Sequence, residues 1–199
     1  MVINIFTVKQ HGCAEIIEKR SKFIANVYPV DSQKEAVELI NKIKKEAVGA
    51  KHVVYAYIIE GETLYTKYSD DGEPQGTAGV PVLNLLEKMK LRNVLVTVTR
   101  YFGGILLGTG GLVKAYTEAA KKGLKEAEKI EVIERTKVDI EFSYELKDTI
   151  SFYIKKQQYE ERDIYYGEKI RMSVNIPNEE IENFKKYIVE LTDNKVVFL

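Results

Sequence analysis

Asp70-Asp71-Gly72-Glu73-Pro74-Gln75-Gly76-Thr77-Ala78-Gly79-Val80-Pro81 and Arg100-Tyr101-Phe102-Gly103-Gly104-Ile105-Leu106-Leu107-Gly108-Thr109-Gly110-Gly111 together hold eight of the thirteen glycines and two of the four prolines of this 199-residue chain. Glycine is selected where backbone turns through positive φ or where another group approaches closely. Each stretch adjoins an apolar segment, so the two loops are expected to form one built surface. Between and around them the chain alternates between strand and helix patterns.

Upstream, Ile3–Val8 is apolar and β-prone, and Ser21–Val30 reads as a strand with Phe23, Ala25 and Val27 on one face. Ser32 with Glu35 three residues on is a capping box that opens a helix, with Ala36, Ile40, Ile43 and Ala47 at helical spacing. His52–Glu60 is a strong strand, and Thr63–Tyr68 is expected to pair back on it through a turn at Gly61-Glu62. Val82–Lys90 reads as a short helix, Asn93–Tyr101 as a β-branched strand, and Leu112–Glu128 as a helix turning Leu112, Tyr116, Ala119 and Leu124 inward. Beyond a charged stretch at 130–135 the order is strand 137–143, helix 145–158, strands 159–166 and 169–176, helix 177–191 and strand 195–199. That β-α-β-β-α-β order is the ferredoxin-like pattern. The fold class is therefore α+β, with an α/β domain over 1–130 and a ferredoxin-like domain over 131–199.

Formal net charge is zero, but residues 1–130 carry 19 Lys/Arg against 15 Asp/Glu, and residues 131–199 carry 11 against 15. A basic part joined to an acidic part fits two domains, and the basic excess permits an anionic partner. No apolar run reaches the roughly twenty residues of a membrane span. The first residues lack a basic segment followed by an apolar one, so no signal peptide is expected. The single Cys13 forms no internal disulfide, which fits a cytoplasmic protein.

The strand–glycine loop–helix unit at 93–125 has the elements of an anion site: glycine-rich backbone amides and a helix N-terminus. Arg100 at the strand end and Lys114 in the first helical turn add positive charge. The alternative is that Gly103, Gly104, Gly108, Gly110 and Gly111 serve only tight turns and close helix–sheet packing. The unit matches neither G-x-G-x-x-G, since Val113 stands where the last glycine belongs, nor a P-loop. Asp70, Asp71 and Glu73 either initiate a turn or hold a hard cation such as Mg²⁺. His11 and His52 have no partners at zinc-site spacing, and no Gly-x-Ser-x-Gly elbow occurs, so no complete catalytic constellation is read. Tyr55 and Tyr57 are expected as packing aromatics. Tyr101 and Phe102 beside Arg100 are the aromatics placed to meet a phosphate and a base together.

The two loops, read through to Arg100–Tyr116, resemble the signature of the IMPACT family in its bacterial YigZ-like branch. Ser21-Lys22-Phe23-Ile24 is similar to the family's Ser-Arg-Phe-Ile segment, with lysine in place of the usual arginine, and Ala50-Lys51-His52 is similar to its Ala-x-His step. The resemblance implies a ribosomal-protein-S5-domain-2-like N-terminal domain and a second domain similar to one in elongation factor G. It further implies a non-enzymatic partner of RNA, of translation factors or of the ribosome, since eukaryotic relatives restrain a starvation-responsive translation kinase. The expected contact residues are Ser21, Lys22, His52, Arg100, Tyr101, Phe102, the five loop glycines and Lys114. Two alternatives stand beside this reading: a phosphate- or nucleotide-binding small-molecule enzyme, and a protein-interaction regulator of a stress response.

Overall fold

A computed structural model describes residues 5–61 and 63–199. The first residues of the expected opening strand, those read for a signal peptide, and Glu62 of the expected turn lie outside the described residues. The chain forms two compact units, Met1–Val132 and Ile133–Leu199. The break falls two residues beyond the expected boundary because β7 (Lys129–Glu131) still pairs antiparallel with β1 (Phe6–Val8).

In the first unit, β2 (Gly12–Glu18), β3 (Ser21–Pro29), β4 (His52–Ile59), β5 (Tyr65–Ser69) and β6 (Val94–Tyr101) form one antiparallel sheet in the order β2-β3-β6-β4-β5. β6 is central and buried along Val94–Arg100, which is why its sequence is a near-continuous apolar and β-branched run. Phe23, Ala25 and Val27 face inward as the alternation predicts. α2 (Gly79–Lys88) and α3 (Gly108–Glu126) pack on this face, sharing a core with Val54, Val96 and Val98. On the opposite face α1 (Gln33–Glu46) closes a smaller core with Tyr57, Ile59 and Leu95. Tyr57 stacks on Tyr55 and on Tyr65, each at 6.2 Å between ring centroids, so these tyrosines are packing aromatics.

Three departures from the sequence reading have physical causes. β2 is an edge strand with exposed Ile17, so its alternation is weak, and its two-residue turn uses Lys19 and Arg20 at positive φ (44° and 65°) with no glycine to signal it. α2 starts at Gly79 rather than at 82, because its cap comes from a carboxylate distant in sequence, described below. α3 starts at Gly108 rather than at 112, with Gly110 and Gly111 in its first turn despite glycine's low helix propensity.

In the second unit the order is β8 (Arg135–Phe142), α4 (Lys147–Lys156), β9 (Glu160–Tyr166), β10 (Ile170–Pro177), α5 (Ile181–Leu191) and β11 (Val197–Phe198). The sheet order β11-β8-β10-β9, all antiparallel, is the ferredoxin-like arrangement. Ile150 and Ile154 of α4 and Phe184 and Ile188 of α5 join one core with Ile140, Met172 and Val174. Among the described residues no helix is long and apolar enough to cross a membrane.

The cap of α1 is the local feature most open to test. The Glu35 N–H donates to Ser32 Oγ at 3.2 Å, while Glu35 Oε2 accepts from the Asp31 N–H at 2.9 Å, one residue earlier than the standard box. Ser32→Ala is expected to lower unfolding stability by about 1 kcal/mol, and Ser32→Asp to retain it, read as urea midpoints at unchanged slope.

Candidate functional site

The site is built where the ends of three strands meet. Sheet register sets Arg100 of β6 opposite Phe23 of β3 and His52 of β4, and Tyr101 opposite Lys22. Arg100, Phe23 and His52 therefore share the face that α2 and α3 cover. The connection from β5 to α2, residues 70–78, folds over them and buries Glu73.

Glu73 is the centre of this polar cluster. Its Oε1 accepts from Arg100 Nη1 at 2.7 Å and from the Tyr116 hydroxyl at 2.7 Å, and His52 Nε2 stands 3.9 Å away. Arg100 is 5% exposed, and its guanidinium carbon lies 5.4 Å and 5.5 Å from the Phe23 and Phe102 ring centres. This corrects the expectation that Arg100 lies open to an anion: its charge is committed to Glu73. Burial, and the hydrogen bond to Glu73, push the Tyr116 hydroxyl far above the usual phenol range, so it stays a donor. His52 Nδ1 sits 2.7 Å from the Asp71 carbonyl oxygen. A carbonyl only accepts, so Nδ1 carries the proton.

Asp70, Asp71 and Glu73 do not converge as the ligands of one cation. The Asp70 carboxylate accepts from the N–H groups of Gly76, Ala78 and Gly79 at 2.8–3.0 Å and so caps α2. Asp71 accepts from the Val53 N–H at 2.7 Å and from Lys44 of α1. Among the described residues no three His, Cys, Asp or Glu side chains are grouped to hold a metal ion. Burial works to raise the Asp71 carboxyl, but the bonds from Lys44 and the Val53 N–H outweigh it and hold it below the usual carboxylate range.

The second loop crosses the β2–β3 turn in near contact. A Cβ at Gly103 would stand 2.1 Å from the Arg20 carbonyl carbon, so glycine is required there. The Gly103 N–H donates to Ser21 Oγ at 3.2 Å, and Ser21 is fully buried. Ser21 is thus a support for the loop and not the exposed contact that the sequence suggests. Gly104 and Gly108 take φ of 83° and 73°. α3 then begins with no side-chain cap and no acidic residue in its first turn, with Gly110 in open space. Its first amides are left for solvent or a ligand.

What the strand ends present outward is cationic and aromatic. Lys22 Nζ lies 5.5 Å over the Tyr101 ring and 3.6 Å from Glu15, and Lys51 Nζ lies 5.3 Å over the Phe102 ring. Phe102 is half-exposed and Lys114 is exposed on α3. Sequence reading missed Lys51 as a contact. It also missed the pairing of Glu73 with Arg100 and Tyr116, residues 27 and 43 positions away. The signal for Lys51 was its place at a strand start, level with Tyr101 on the neighbouring strand, which needs the sheet order to interpret.

Two tests follow from this geometry. Glu73→Gln leaves a buried guanidinium without its counter-charge and is expected to cost about 3–5 kcal/mol, while the double change Glu73→Leu with Arg100→Met recovers most of that loss. Chemical denaturation of the single and double variants checks it. The depressed Asp71 carboxyl contributes stability that is full at neutral pH and is lost as pH falls below about 4. Asp71→Asn is therefore expected to be less stable at pH 7 and to show a shallower loss of stability in acid, measured as unfolding midpoint against pH.

Comparison with known proteins places this architecture. The Impact N-terminal domain matches residues 19–124, and a domain of unknown function (DUF1949) matches residues 140–195. IMPACT family member YvyE of Bacillus subtilis is 38% identical over 198 residues, covering 98% of this chain and 90% of that protein. An IMPACT family member of Haemophilus influenzae is 34% identical over 181 residues, covering 90% and 88%. Protein IMPACT of Homo sapiens is 38% identical over 103 residues, covering 49% of this chain and 31% of that protein. A crystal structure of a hypothetical protein is similar over 100% of this chain and 98% of that one, with 25% identity and a TM-score of 0.63. With the signature loops, both domains and nearly the whole length accounted for, this chain belongs to the IMPACT family.

Proposed function

We propose that this chain is a non-enzymatic RNA-binding protein that acts on the translation machinery. Its contact surface is the rim at the strand ends, with Lys22 and Tyr101 on one side of the sheet, Lys114 and the loop 103–111 towards α3, and Lys51 over the Phe102 ring between them. The observation that carries this reading is the pair of cation–aromatic stacks, Lys22 on Tyr101 and Lys51 on Phe102, on either side of one strand end. Single-stranded RNA offers phosphates to the ammonium groups and base faces to exposed rings, and sequence-tolerant binders combine these two features. The uncapped start of α3 adds N–H donors beside them. Glu73 and Arg100 hold this surface in place from beneath and do not touch the RNA.

Fluorescence anisotropy with a labelled oligouridylate across a salt series tests the reading. Affinity is expected to fall steeply with salt, and the double variant Lys22→Gln with Lys51→Gln to lower the logarithmic salt slope by about 1.4, at ~0.7 per lost phosphate contact. Absent or salt-independent binding overturns the proposal. A rise in melting temperature with a Mg²⁺–nucleotide would favour a small-molecule enzyme instead. A protein partner retained after nuclease treatment would favour a regulator that acts by protein contact.

A further inference from the structure

On the first unit, away from the loops, a cleft of about 640 Å³ opens between the end of α2, the middle of α3 and the β1–β7 ribbon. Its floor is apolar, made by Phe6, Leu85 and Met89. Its rim carries Lys88, Lys90, Lys121 and Lys129, with no acidic residue in the lining. Among the described residues none of these four ammonium groups forms an ion pair.

The floor is held by the backbone. The Phe6 N–H donates to the Lys90 carbonyl oxygen at 3.0 Å, and the Phe6 carbonyl oxygen accepts from the Arg92 N–H at 2.8 Å. The Phe6 ring is thereby fixed against the α2–β6 turn, and Lys129 Nζ stands 3.5 Å from its centre. Four like charges line one cleft with no ion pair among them, and they leave a positive field there. An anion answers that field, and the apolar floor selects an anion that also carries a flat ring.

The cleft shares α3 with the surface proposed above. Lys114, Lys121 and Lys125 lie at i, i+7 and i+11 on one exposed stripe of α3, interrupted by Glu118. Lys114 stands near the glycine loop and Lys121 in the cleft, about 10 Å apart along the helix axis. We infer that the cleft is a second seat for the same single-stranded RNA, taking a nucleobase against Met89 at the edge of the Phe6–Lys129 stack and the flanking phosphates on the four lysines. The inference rests on the RNA-binding reading and adds the path the strand follows.

The chain holds three methionines, Met1, Met89 and Met172. Methyl NMR of the ¹³C-methionine-labelled full chain therefore reports on the cleft floor through Met89, with Met172, buried in the second unit, as reference. Met89→Leu identifies the signal. Titration with oligouridylate is expected to shift Met89 and leave Met172 in place. The triple variant Lys88→Gln, Lys121→Gln and Lys129→Gln is expected to lower the logarithmic salt slope by about 2. If the oligouridylate binds by anisotropy while Met89 stays still, the second seat is wrong and the strand-end reading stands. If the oligouridylate does not bind at all, both fall. If inorganic polyphosphate shifts Met89 as far as the oligouridylate does, the lysines answer to charge alone and the base seat is wrong.

Discussion

One carboxylate oxygen organises the first unit. Glu73 Oε1 receives a guanidinium from β6 and a hydroxyl from α3, and the residue belongs to the connection that leads into α2. Three separate segments therefore meet at one atom. Removing such an ion pair from water costs several kcal/mol per ion, and the mutual attraction only roughly returns that cost. The pair accordingly specifies more than it stabilises: one placement of the 70–78 connection satisfies both donors, and others leave a buried charge alone. The edge-on contact of Tyr116 with Phe23, 5.1 Å between centroids, fixes the hydroxyl that completes it.

From that centre the constraint passes outward through the backbone. Holding Arg100 inward fixes the side-chain alternation of β6, so Tyr101 points to the other face, beside Lys22. The chain must then cross the β2–β3 turn, where only glycine fits at 103, and Ser21 receives the amide that arrives. The exposed cations and rings are thus carried on strand ends and a tightly packed crossing, which suits a surface that binds with little reordering.

Much of this fold is legible in the sequence. Alternation places Phe23, Ala25 and Val27 inward, the β-α-β-β-α-β order gives the second unit, and Ser32 with Glu35 marks a helix start, since each of these signals is local. What stays hidden is long-range. Nothing near Gly79 announces that Asp70 caps its helix from nine residues away. The hairpin at Lys19-Arg20 lacks the glycine that such turns normally carry. Arg100 shows the same limit at the site: a basic residue at a strand end reads as a surface contact until a partner 27 residues away is found beneath it. Gly103, Gly104 and Gly108 were readable because crowding and positive φ are backbone demands that glycine meets at the least cost.

The inward turn of the acids leaves lysines and aromatic rings outermost at these strand ends. Glu73 pairs with Arg100, Asp71 pairs with Lys44, and Asp70 accepts from three amides at the start of a helix. Two of these three carboxylates are thereby matched one for one by a cation, and the third is committed to a helix start. The lysines above them are left in a different condition. Lys51 rests on an aromatic ring and Lys22 lies between a ring and Glu15 at 3.6 Å, while the lining of the α2–α3 cleft holds no acid at all. An ammonium on an aromatic face keeps its charge available, where one in a short ion pair does not. The pairs cancel charge for charge, so the excess of 19 Lys/Arg over 15 Asp/Glu in residues 1–130 is unchanged in sum, and what the fold sets is which lysines stand clear of an acid.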